Sequence, residues 1–159
     1  GISTFRDNGG LWDKFDPQWA TIRIKALDLL KKEQRLQQIV RLIGADALPD
    51  SDRLGLVVSE MIKNGFLQQN AFDAIDAYSV PQKQLKILLL IMDFYAKALD
   101  VVKAGCPLLK VSELSVRNEI VRAKLTVPND NMDMLTVIGS HLEEQFAELE
   151  RMYRKDTLI

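Results

Sequence analysis

One cysteine, Cys106, and one histidine, His141, are all the chain holds of the two residue types that most often carry metal and nucleophilic chemistry. A single cysteine excludes an internal disulfide and every zinc site built from several thiolates, and it fits a reducing compartment. A single histidine excludes any two-histidine metal motif. A ligand histidine needs partners to orient it, so His141, among Gly139, Ser140 and Glu143, reads as part of a solvated helix. Charge of one sign is also lacking. With 21 Lys and Arg against 22 Asp and Glu, the net charge is −1, without the basic excess of a nucleic-acid binder. The longest apolar run, Ile87 to Met92, is six residues, whereas a membrane span needs about 20, so direct membrane insertion is not expected. No signal-peptide pattern opens the chain.

What is present is ordinary globular material: 159 residues, 47% hydrophobic and 27% charged, enough for one domain with its own core. The chain opens on Gly1 rather than Met, which reads as a processed start or a cloned fragment. Residues 1–15 are expected to be a leader or loop, polar and glycine-rich at first and loosely held. Residues 16–155 are read as a single helical domain.

The five prolines punctuate helices. Asp16-Pro17 opens the first, with Trp19, Ile22, Ala26 and Leu30 on one face. The phase breaks at Lys31 to Gln34 and restarts with Leu36, Ile39, Val40 and Ile43, which predicts two consecutive helices or one sharply kinked, stopped by Gly44. A loop carrying Asp46, Leu48, Pro49 and Asp50 leads to a helix over about 51–67, with Leu54, Val57, Val58, Met61 and Ile62 inward and Gly65 weakening its last turn. Residues 68–80 are irregular. Pro81 begins the longest helix, apolar almost all round and therefore central, which Gly105 closes. A turn or short helix follows Pro107. Ser115 caps the next helix, Pro128 separates it from the last, and Leu135, Ile138, Leu142, Phe146, Leu149 and Met152 form one stripe at spacings of 3 and 4. Glu143, Glu144, Glu148 and Glu150 lie on the other face, read as solvated. No period-2 alternation is convincing. The predicted fold is all-α, a bundle of about six helices with a helix-turn-helix tip.

Catalytic motifs are absent. The phosphate-binding loop GxxxxGK[ST] needs a Lys followed by Ser or Thr, and no lysine here has that neighbour. GxGxxG, GxSxG, HExxH and an EF-hand loop are missing as well, so a self-sufficient enzyme is the least supported reading. Two features stand out. The turn Asp46-Ala-Leu-Pro-Asp-Ser-Asp52 sets three carboxylates around Leu48. It is either an ordinary connection whose acids cap the next helix or a protruding acidic tip that pushes on a basic partner. The stretch from Phe66 to Tyr78 carries Phe72 and Tyr78, which serve either as core plugs or as flat faces for a base.

At these features the sequence resembles the C-terminal helical domain of the catalytic A (alpha) subunit of V/A-type rotary ATPases. The resemblance runs collinearly over about residues 16–153. It is carried by Asp16-Pro-Gln-Trp19, Leu36-Gln-Gln-Ile-Val-Arg-Leu-Ile-Gly44, Asp46-Ala-Leu-Pro49, Phe66-Leu-Gln-Gln-Asn-Ala-Phe-Asp73 (the most specific piece), Pro81-Gln-Lys-Gln84, Leu114-Ser-Val-Arg-Asn-Glu-Ile-Val-Arg-Ala-Lys124 and Glu143-Glu-Gln-Phe146. The F-type beta subunit resembles it more distantly. There the acidic turn reads DELSEED and touches the central shaft; this chain keeps acids at Asp46, Asp50 and Asp52 but has Ala47, Pro49 and Ser51 between them.

The resemblance implies that Asp46, Leu48, Pro49, Asp50 and Asp52 form the contact with the central-stalk rotor subunit. It implies that Phe72 and Tyr78 border the adenine of bound nucleotide. The catalytic lysine, magnesium ligands and catalytic glutamate belong to a preceding nucleotide-binding domain absent from this chain. The chain itself would then hold no cofactor and perform no catalysis, while the parent subunit would use ATP or ADP with magnesium. Its partners would be its own upstream nucleotide-binding domain, neighbouring B subunits and the rotor, in a cytoplasmic ATPase head peripheral to the membrane. ATP binding would swing the helical domain inward by hinge closure, driving rotation for proton or sodium transport. The alternative is a free-standing helical adaptor that offers the last helix's stripe, close to a heptad seam interrupted by Gln145, to a partner helix. That reading needs the stripe exposed.

Overall fold

The computed structural model describes residues 17–67 and 81–153. Among these residues every regular element is helical: α1 (Gln18–Ile43), α2 (Asp50–Ile62), α3 (Pro81–Lys103), α4 (Leu108–Ser112), α5 (Ser115–Thr126) and α6 (Asp133–Tyr153). A 3₁₀ turn (Ala45–Ala47) joins α1 to α2, and α2 ends in a wider π-type turn (Lys63–Leu67). Asp16, expected as the first N-cap, lies outside the described residues. Pro17 flanks α1 with helical backbone angles (φ −59°, ψ −25°), the φ being the one its ring imposes.

α1 is one continuous helix of 26 residues, not two. The break in hydrophobic phase has a tertiary cause. Glu33 is buried there, and Lys63 donates to both of its carboxylate oxygens at 2.9 Å. A polar residue in the core stripe is therefore paired across to the end of α2, as a buried carboxylate must be. Beyond Leu36 the expected core positions turn outward. Ile39 is 38% exposed and Ile43 69%, because α2 begins only after the tip and leaves the end of α1 without an apolar cover.

α3 is the axis of the bundle. It touches α1, α2, α5 and α6, and Leu85, Ile87, Leu88, Ile91, Phe94, Ala98 and Val101 are buried along it. That is what a helix apolar almost all round requires. α3 ends as expected at Gly105, whose φ of +110° closes a Schellman motif: Gly105 N–H donates to the Val102 carbonyl (3.0 Å) and Cys106 N–H to that of Val101 (2.9 Å). Gly65 does more than weaken a turn. A Cβ there would lie 3.1 Å from the Val121 Cα, so glycine lets the end of α2 meet the backbone of α5.

The stripe on α6 is inward at Leu135, Ile138, Leu142, Phe146 and Leu149; Met152, at its end, is 56% exposed. Phe146 meets Phe94 edge-on with ring centroids 5.2 Å apart, a geometry worth about 0.5–1.5 kcal/mol beyond area burial. The seam that an adaptor would present is thus already occupied by α3 and α5. Gln145, which interrupts it, caps α5. Its Oε1 accepts from Val116 N–H (3.1 Å) and its Nε2 donates to Ser115 Oγ (2.8 Å). Ser115, expected to cap α5, is instead its first residue, and the cap comes from α6 because Leu114 holds the N-cap position. Glu143 is exposed but pairs with Lys97 at 3.2 Å. Burial pulls the Lys97 ammonium down, yet bonding to Glu143 and the charges of Asp93 and Glu143 outweigh it, and the group titrates above its ordinary value. His141 is half-buried with Nδ1 2.8 Å from Glu119 Oε1.

Candidate functional site

α1 and α2 pack together as a hairpin that gives the domain two ends. One end is the tip, residues 42–52. The other is the foot, where α1 begins, α2 finishes at Leu67 and α3 sets out from Pro81. At 1.5 Å per residue, the 26 residues of α1 run about 39 Å from the foot to Ile43.

At the tip, Gly44 breaks α1 with φ +89°, a backbone region that side chains resist. The next residues close the 3₁₀ turn, with Leu48 N–H donating to the Ala45 carbonyl at 3.1 Å. Asp46 stands exposed in that turn, and no ion pair to it occurs among the described residues. Leu48, expected to stand among exposed carboxylates, is only 7% exposed. Leu48 has an extended backbone (φ −90°, ψ 137°) that leads from the 3₁₀ turn into Pro49 and α2. Pro49 is exposed and begins α2 without a side-chain cap.

The acids that follow do not cap their own helix. Asp50 Oδ2 accepts from the Leu108 N–H of α4 at 3.3 Å, while Oδ1 lies 3.5 Å from Arg53. Asp52 reaches Lys32 on α1 at 3.2 Å. Their position in the first turn of α2 still complements its dipole. The most exposed large apolar side chain of the tip is Leu42, 83% accessible beside Ile43. Sequence periodicity misses it, since Ile39, Val40 and Ile43 fall at the spacing of a core stripe. The helix-ending Gly44 two residues on is the available signal that this turn projects past the core.

At the foot the pattern reverses. Trp19 is 1% exposed and its ring lies 6.0 Å from that of Phe66. Two lysines are buried there. Lys124 donates to the Phe66 carbonyl at 3.1 Å, and Lys83 donates to the Lys124 carbonyl at 2.8 Å. This relay ties the last turn before residue 68 to the first turn after residue 80. Phe72 and Tyr78, the expected adenine neighbours, lie outside the described residues. Periodicity alone does not mark Lys83 or Lys124, because a lysine is nearly always a surface residue. Among the described residues no group of three or more His, Cys, Asp or Glu is arranged to hold a metal, and no helix is long and apolar enough to cross a membrane.

An all-helical domain with a projecting hairpin tip and a foot tied by buried lysines is the class this geometry defines. The family described as the C-terminal domain of V and A type ATP synthase matches residues 8–112, and the chain belongs to that family. It is 39% identical over 143 residues to the A subunit of the A-type ATP synthase of Pyrococcus abyssi, covering 89% of this chain and 14% of that protein. It is 38% identical over 148 residues to the V-type ATP synthase alpha chain of Halothermothrix orenii, covering 93% and 25%. With the corresponding A-type protein of Sulfolobus acidocaldarius it shares 42% over 153 residues, covering 94% and 26%. The chain thus spans about a quarter or less of the length of these relatives.

Proposed function

We propose that this domain is the mechanical output arm of a rotary ATPase catalytic subunit. It couples nucleotide binding in an upstream domain to rotation of a central stalk, and through it to proton or sodium transport. The observation that carries the reading is the projecting tip on a family member: a hairpin end with exposed apolar and acidic side chains, rooted in a densely packed bundle. Close packing makes the bundle stiff enough to transmit force. Asp46 and Pro49 face the stalk, Leu48 is buried in the turn, and Asp50 and Asp52 flank it. Phe72 and Tyr78 border the adenine, which supplies the differential interaction a ligand needs to shift a conformational equilibrium. Neighbouring B subunits and the chain's own upstream domain complete the surroundings, in a head peripheral to the membrane. ATP or ADP and magnesium belong to the upstream domain, and the isolated chain does not hydrolyse ATP.

The test is a disulfide trap in the assembled ATPase. A cysteine at Asp46 is paired in turn with cysteines along the stalk. A crosslink that stops ATP-driven rotation and is reversed by reductant is expected. Failure of Asp46 and of Leu42 to crosslink to any stalk position rejects the contact. For the nucleotide end, Phe72→Ala in the parent protein weakens nucleotide affinity by about 1–3 kcal/mol, on the scale of aromatic–base stacking. Unchanged affinity removes Phe72 from the pocket.

A further inference from the structure

We infer that Asp50 is a positioning residue: its carboxylate is a tertiary cap that locks the tip to the α3–α4 turn, and it is not a charge presented to the stalk. The inference rests on the reading of the tip as the stalk contact. It starts from an unfilled requirement. The first N–H groups of any α-helix have no partner within the helix. α4 is preceded by Pro107 and has no side-chain cap of its own, so the N–H of Leu108, its first residue, must find an acceptor elsewhere. The acceptor is Asp50 Oδ2, 58 positions earlier in the chain, at 3.3 Å.

The same carboxylate opens α2, so one side chain joins the start of α2 to the start of α4. On the other flank Asp52 joins α2 to α1 through Lys32. Leu48, just ahead of both acids in the chain, is buried. The turn is therefore held on two flanks, and two of its three acids are engaged in holding it. Asp46 remains as the outward carboxylate, next to the exposed Leu42 and Ile43. Force applied at Asp46 reaches the central helix by two routes. One is the hairpin itself. The other is Asp50 to α4 and back through the closed end of α3 at Gly105 and Cys106.

A cap and a presented charge respond differently to one substitution. Asparagine keeps an oxygen that accepts from Leu108 N–H but loses the charge, and alanine loses both. The experiment compares Asp50→Ala, Asp50→Asn and Asp46→Ala by amide exchange of Leu108 in the full chain, and by ions moved per ATP in the assembled ATPase. In Asp50→Ala, Leu108 exchange is expected to accelerate about tenfold or more, the fold-change set by a hydrogen bond to a charged acceptor, and coupling falls. Asp50→Asn restores both readouts most of the way. Asp46→Ala leaves Leu108 exchange unchanged and lowers coupling.

Unchanged Leu108 exchange in Asp50→Ala overturns the cap. Equal loss of coupling in Asp50→Asn and Asp50→Ala assigns the effect to charge and overturns it too. Faster exchange with undiminished coupling overturns the positioning role. If Asp46→Ala, with Leu42→Ser added, leaves coupling intact, the stalk-contact reading fails, and the exchange result still reports on the cap separately.

Discussion

The foot and the tip of this domain are built from the same two helices by opposite rules. At the foot, Trp19, Phe66, Lys83 and Lys124 are buried and joined by ring contact and by lysine-to-carbonyl hydrogen bonds. At the tip, Leu42 and Ile43 are open to solvent, and the groups that hold the turn are partly exposed carboxylates. The foot commits its side chains to internal contacts. The tip leaves Leu42 and Ile43 open and buries only Leu48. The proposed output arm would use this asymmetry, with packed side chains behind and free surface at the tip.

Substitutions that break the comparison begin with the largest. Trp19→Ala removes the main plug of the foot and is expected to destabilise the chain by about 3–5 kcal/mol, read by denaturant titration. A loss under about 1 kcal/mol, the ordinary cost of a point substitution, would mean that the foot is no better packed than the tip. Gly65→Ala places a methyl 3.1 Å from the Val121 backbone and is expected to cost about 1–3 kcal/mol by overpacking. The same titration checks it, and a stabilised variant would contradict the close approach of α2 and α5.

Cys106 probes the α3–α4 turn that leads to the Leu108 contact of Asp50. It is 1% exposed, and burial pushes its thiol up, with Lys110 opposing more weakly. A disulfide-exchange reagent at about pH 8 should react with it at least about tenfold more slowly than with a free thiol, since the thiolate is the nucleophile. Reaction at the free-thiol rate would show that this turn opens. Because the folded thiol ionises later than the unfolded one, its contribution to stability is present below the ordinary value of 9.0 and declines as pH rises past it. Cys106→Ala should flatten that decline. The smallest effect belongs to the tip itself. Leu42→Ser and Ile43→Ser should change stability by no more than about 0.5 kcal/mol, as for surface positions generally, while weakening coupling in the assembled ATPase. A larger loss of stability would show that these side chains pack within the domain.

Much of the architecture is legible in the sequence. The all-helical class, the central helix, the stop at Gly105 and the inward stripe of α6 all follow from spacing and punctuation. The position of the tip, between Gly44 and the acids of α2, is legible as well. Less legible is what each tip residue does. Leu48 lies within an acidic sequence yet is buried, and Ile43 lies within a helical stripe yet is exposed. Periodicity reports which residues share a face, not whether a neighbour covers it. Phe72 and Tyr78 stand apart, since their place rests on the resemblance alone. The phase break at Lys31 to Gln34 is visible in the sequence but suggests the opposite of what it means. A buried Glu33 breaks a hydrophobic pattern without breaking a helix once Lys63 supplies the counter-charge.

Helix starts and stops are local matters, written into the chain by proline, glycine and the 3.6-residue repeat, which act within a few positions. The polar pairings are not local. That Gln145 caps α5, that Glu33 and Lys63 pair, that Lys124 holds the carbonyl of Phe66 and that Asp50 caps α4 emerge only when the helices are assembled. Each of these joins residues 29 to 58 positions apart. A single polar side chain is chemically able to bond with many groups, and the one it meets is selected by how the apolar stripes bring the helices together.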